Sequence, residues 1–193
     1  MHDDRGCGRG GGPEGAGPPD AALPGLRCRA QALGSGPART VRDLGGGLVA
    51  VRPDRARCTG CRRTHVVLDA GLLPRRAYTV RFLGQVLASA VRGHGHRQIA
   101  AELGAPEGTV RGWLRRARST AEQLRWIGVQ AVVALDPDAL PTADRGDPLA
   151  HAIEALVAAA VAAHRRFGHG PREMWPRIAL LTRGRLLAPS PTG

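Results

Sequence analysis

The chain has 193 residues, enough for one or two small domains. Its formal net charge is +12, and aromatic residues make up only 3%. The core must therefore come from Leu, Val, Ile and Ala, which suits helices better than a large sheet. The positive excess is carried entirely by arginine, because the chain has no lysine, and it creates a field that attracts polyanions. No uninterrupted apolar run approaches the roughly 20 residues needed to span a bilayer. The start, with His2, Asp3 and Asp4, has no apolar signal region. A cytoplasmic protein with no membrane partner is the expectation.

Residues 1–25 are rich in Gly and Pro without periodicity, a composition that predicts a disordered tail. Residues 26–70 read as short β-like pieces, at 38–44, 47–53 and 64–68, separated by glycine-rich turns. Pieces this small usually need a metal or a disulfide to hold them. Cys58-Thr-Gly-Cys61 is a C-x2-C knuckle that can turn two thiolates toward one ion. With Cys28 upstream and His65 just downstream, the candidate zinc ligands are Cys28, Cys58, Cys61 and His65. Gln31 stands where a first knuckle would carry its second cysteine, so a decayed ribbon that folds without metal stays open beside a structural zinc. The segment is also basic, with Arg52, Arg55, Arg57, Arg62 and Arg63 among its residues. Either a phosphate-tracking surface or a merely solvated one fits that pattern.

A helix is expected over 76–91, with Phe82, Leu83, Val86, Leu87 and Ala90 on one apolar face. His94 and His96 follow in a linking turn, where an H-x-H pair is more simply a turn than a metal site. Residues 96–118 are the most informative stretch. Ile99 and Leu103 share one face of a first short helix, and Val110, Trp113 and Leu114 share one face of a second. Gly104 can take the positive φ that ends a helix, Pro106 suits the start of a new one, and Ala100 is small where two steeply crossing helices approach. This is the pattern of a helix-turn-helix, whose second helix can lie in the DNA major groove.

Helix is expected to continue from 118 to about 134, directly out of the preceding one. A loop with three prolines follows at 136–148, then a long Ala-rich helix to 167, capped by Asp147, and a short helix at 172–182. These C-terminal helices either support the domain by packing within the chain, which is the expectation, or form a homodimer contact. The fold class is thus mainly α. A small β-rich, zinc-ribbon-like segment (26–70) is followed by a three-helix helix-turn-helix domain (71–135) and C-terminal helices (147–185).

If the second helix enters the groove, the side chains left free by the core meet the DNA. Arg111 and Arg115 lie one turn apart and can each bond guanine O6 and N7. Glu107 can accept from cytosine, and Thr109 can bond a base or a phosphate. Arg97, Arg116 and Arg118 are expected on phosphates, where they add affinity without sequence information.

The residues Arg57-Cys-Thr-Gly-Cys-Arg-Arg-Thr-His65, Leu72-Leu-Pro-Arg-Arg76, Gly95-His-Arg-Gln-Ile-Ala-Ala-Glu-Leu-Gly104 and Thr109-Val-Arg-Gly-Trp-Leu-Arg115 carry a resemblance over roughly 26–135. The chain resembles a family of uncharacterised bacterial proteins with a zinc-ribbon-like segment before a homeodomain-like helix-turn-helix. Its modules are also similar to the DNA-binding region of insertion-sequence transposases. The resemblance implies that fold and double-stranded DNA as partner. Members typically carry a complete first cysteine knuckle, from which Gln31 departs.

An enzyme is the competing class. A transposase needs three carboxylates on an RNase-H-like sheet, but Asp136, Asp138, Asp144 and Asp147 cluster in one loop, where solvation and helix capping account for them. No G-x-S-x-G, phosphate-cradling glycine loop or H-E-x-x-H is present. The expectation is a non-enzymatic, sequence-specific DNA-binding protein, a regulator or a stand-alone relative of a transposase DNA-binding region. The alternative is a protein-interaction module that binds nucleic acid only nonspecifically.

Overall fold

The computed structural model describes residues 30–136, 146–168 and 170–187. The expected tail at 1–25, Cys28, and the loop residues Asp138 and Asp144 lie outside the described residues. The chain is mainly helical, with small sheets at its N-terminal side, and it divides into two compact units. Described residues 30–39 and 50–69 form the first, and 40–49 with 70–187 the second.

The first unit is a three-stranded antiparallel sheet in which β4 (Asp54–Cys58) lies between β1 (Ala30–Ser35) and β5 (Thr64–Val67). Ala30 pairs with Cys58, and Ala56 pairs with Ala32 on one side and His65 on the other. Because side chains alternate, Ala56 and Cys58 fall on one face and are buried, while Arg55 and Arg57 fall on the other and are exposed. β5 matches the strand expected at 64–68. β1 and β4 run through stretches where no strand is expected, because Ala-Gln-Ala-Leu-Gly-Ser and Asp-Arg-Ala-Arg-Cys lack the β-branched and aromatic residues that signal one.

Strands β2 (Arg39–Arg42) and β3 (Leu48–Val51) pair with each other, and residues 40–42 and 48–49 of them belong to the second unit. Between them the chain turns through Gly45 at φ 69°, and the Asp43 amide donates to the Gly47 carbonyl at 2.8 Å. Asp43 then accepts from Thr79 Oγ1 at 2.7 Å, and Thr79 Oγ1 accepts from the Phe82 amide at 3.2 Å. Thr79 is thus the N-cap of helix α1 (Val80–Val91). The helix starts four residues later than expected from the sequence, since Arg75 at φ 57° and the Thr79 cap hold residues 76–79 out of it.

Helix α2 (His96–Leu103) ends at Gly104, whose φ of 63° is the left-handed conformation. The amides of Gly104 and Ala105 both turn back to the Ala100 carbonyl. Pro106 is the N-cap of α3 (Glu107–Ser119). Helix α3 does not run into α4 (Ala121–Leu135) as expected from the sequence. Thr120 breaks it, and both its amide and its Oγ1 bond the Arg116 carbonyl, at 3.1 and 3.0 Å.

Asp147 caps α5 (Pro148–Phe167) by accepting from the Leu149 amide at 3.1 Å, and Gly168 at φ 65° ends the helix. Helices α4 and α5 approach closely, because a Cβ on Gly128 would lie 2.6 Å from the Ala155 carbonyl carbon. The last helix, α6 (Met174–Leu181), lays Trp175 over Gly84 of α1. One core joins these elements, with Leu83, Val86, Ile99, Val110, Trp113, Leu114, Leu124, Ile153, Leu156 and Ile178 at its centre. The face of α5 that carries Ala152, Ile153 and Leu156 belongs to this core, so the long C-terminal helix packs within the chain. Among the described residues, no helix is long and apolar enough to cross a membrane.

Candidate functional site

Helix α3 commits Val110, Trp113, Leu114 and Ala117 to the core. Tyr78 and Phe82 meet the Trp113 ring edge-on, at centroid distances of 4.9 and 6.3 Å, and fix that face. The helical period then turns Arg111, Arg115 and Arg118 together to one flank, exposed to solvent. There they line a cleft of about 320 Å³ whose remaining walls are His94, Gly95, His96 and Leu114. The lining contains three arginines, two histidines and no carboxylate.

Arg118, expected with the backbone contacts, is therefore grouped with Arg111 and Arg115. Arg116 is not. It projects from the other flank, close enough to Arg76 for the two positive charges to interact. Burial, with that repulsion, lowers the pKa of Arg76, which also donates to the Leu187 carbonyl at 3.1 Å. Thr109 is half-buried.

Glu107 is engaged within the chain. Its Oε1 lies 3.1 Å from His96 Nε2 and 3.3 Å from Arg97 Nε. Desolvation raises the pKa of this carboxyl, but the hydrogen bonds from Arg97 and His96 outweigh it and hold the group below its ordinary value. The Arg97 side chain is otherwise 83% exposed. A second contact brings His94 Nδ1 within 3.4 Å of Glu102 Oε2, without the alignment of a hydrogen bond. Helix α2 begins at Gly95, which offers no side chain to its first-turn amides.

His94 and His96 are the site residues that sequence reading missed. Their H-x-H spacing was visible, but their position opposite Arg111 and Arg118 depends on the α2–α3 crossing.

The cysteine knuckle lies in the other unit. The Cys61 amide donates to Cys58 Sγ at 3.4 Å, an arrangement that favours negative charge on that sulphur. His65 Nε2 is buried without a hydrogen-bond partner. These observations fit metal ligands. Against them, Cys58 is disulfide-bonded while Cys61 is a free thiol, so a Cys58 thiolate requires reduction. Among the described residues, no three His, Cys, Asp or Glu side chains converge to hold an ion. The proposed set of Cys28, Cys58, Cys61 and His65 is therefore not assembled by its described members alone.

A family model described as a domain of unknown function (DUF6431) matches residues 27–113. The match takes in the sheet of the first unit, α1, α2 and the first half of α3. No curated protein and no solved structure matches the chain.

Proposed function

We propose that the chain is a non-enzymatic, cytoplasmic protein that binds double-stranded DNA sequence-specifically, with α2 and α3 as a helix-turn-helix and α3 as the recognition helix. The observation that carries this reading is the row Arg111, Arg115 and Arg118 on the exposed flank of α3, beside a cleft without a carboxylate in its lining. Behind it, the left-handed Gly104 turn and the buried Ala100 support the helix-turn-helix assignment. Arg111 and Arg115 read base edges, and Arg97, Arg116 and Arg118 hold phosphates. Glu107 reaches a base only if it leaves Arg97 and His96. A capping role for Asp147 fits a protein whose acidic residues shape helices rather than drive chemistry.

Selection of bound sequences from a random duplex pool tests the function. A selected duplex is expected to bind at least about 1,000-fold more tightly than random duplex, with a steep salt dependence on both. Salt-dependent binding with no enriched sequence would favour the nonspecific alternative.

A structural zinc in the first unit is a separate proposal, with Cys28, Cys58, Cys61 and His65 as its ligands. The protein purified under reducing conditions is expected to hold about one equivalent of zinc. A content below roughly 0.2 equivalents would leave a ribbon that folds without metal.

A further inference from the structure

We infer that the rim of the cleft at the start of α2 is a seat for one phosphate, held by His96 and Arg97, and that the Glu107 carboxylate is an internal anion which this phosphate must displace. The inference rests on the DNA-binding reading for the source of the phosphate, a backbone phosphodiester.

Three features adjoin at His96. Arg111, Arg115, Arg118, His94 and His96 line the cleft, and no acid does. The first-turn amides of α2 open without a capping side chain beside it, at the positive end of that helix's dipole. Finally, a single oxygen, Glu107 Oε1, is shared between His96 Nε2 and Arg97 Nε at 3.1 and 3.3 Å. Two donors converging on one anionic oxygen is the geometry that a phosphate oxygen requires. The chain fills that geometry with its own carboxylate.

The contacts are exposed, so exchanging them for a phosphate oxygen that accepts from both donors is inexpensive. Arg111 and Arg115 are long enough to wall the cleft with their stems while their guanidinium ends reach past it to bases. Glu107 therefore acts as a latch. It withholds two donors from any anion until the anion competes for them. Because a backbone phosphate is the same at every sequence, the latch lowers affinity for all duplexes alike and leaves the preference among them unchanged.

The test compares Glu107→Gln with the wild type, since glutamine keeps the shape and removes the charge. The variant is expected to bind selected and random duplexes about 3- to 10-fold more tightly, with the same ratio between them. Glu107→Ala serves as a second variant, and circular dichroism confirms that both fold. Equal or weaker binding by both folded variants overturns the latch. Independently of DNA, inorganic phosphate is expected to move the side-chain NMR signals of His96 and Arg97, more in Glu107→Gln than in the wild type. If no duplex binds but phosphate moves these signals, the DNA reading fails and the seat stands. If duplexes bind, affinity does not rise in the variants and phosphate moves nothing, the seat fails and the DNA reading stands.

Discussion

Replacing Gly84 with alanine is expected to destabilise the helical unit by about 3 kcal/mol, at the upper end of what overpacking costs. Gly84 is buried in the middle of α1. On helix propensity alone the change should help, because glycine in a helix interior is about 1 kcal/mol less favourable than alanine. Packing decides the sign. A Cβ at this position would lie 2.1 Å from Trp175 Cδ2 and 2.3 Å from Cε2 and Cγ. These atoms belong to the rigid middle of the indole rather than to a flexible tip, so the ring or all of α6 must shift. Urea denaturation followed by circular dichroism measures the loss. Trp175→Leu is expected to cost stability alone but to recover part of the loss in the Gly84→Ala background, because it makes room for the methyl group. A Gly84→Ala protein as stable as the wild type would show that α6 does not rest on α1 in this way.

Arg111→Ala is the second large effect, and it tests function rather than fold. A bidentate arginine–guanine contact contributes about 1 to 3 kcal/mol of discrimination, so the variant is expected to lose roughly 5- to 150-fold on a selected duplex. Its loss on random duplex should be much smaller, with the preference relaxed at one position. Arg97→Ala and Arg116→Ala should weaken all duplexes alike and reduce the salt slope by about one each. Fluorescence anisotropy on both duplexes over a range of salt separates the two patterns. The stability of the chain should not change measurably, because Arg111 is exposed. If Arg111→Ala and Arg97→Ala lose equally on random and selected DNA, α3 is not reading bases.

Much of the helical architecture was legible because its signals are local. Gly104 and Pro106 mark the α2–α3 turn within three residues, and Asp147-Pro148 marks the start of α5. The start of α1 was misplaced for the opposite reason. Tyr78 continues the apolar pattern because it packs on Phe82 and Trp113, so periodicity alone carries the helix past the cap that Thr79 supplies. The break at Thr120 was missed because a threonine bonding a carbonyl four residues back is compatible with a continuing helix in sequence. β1 and β4 were invisible because their pairing, rather than their own residues, makes them strands. The pairing of Arg111 with Arg115 was readable from spacing, whereas Arg118 was expected among the backbone contacts. The cleft was not, since it joins residues 94–96 to residues 111–118 across a helix crossing. Nor does a sequence show that Glu107, read as a base contact, has partners of its own.

The tryptophans give the molecule an optical signature. Trp113, on the buried face of α3, is 4% exposed, while Trp126 of α4 is 56% exposed. Trp175 is partly buried against α1. Indole emits at shorter wavelength in apolar surroundings, so these rings should contribute separable blue and red components. A movement of α3 away from its packing would redden the Trp113 component and leave the Trp126 component in place. Global unfolding would redden Trp113 and Trp175 together. The chain thus carries a built-in gauge of whether its arginine-bearing helix is seated, readable without a label.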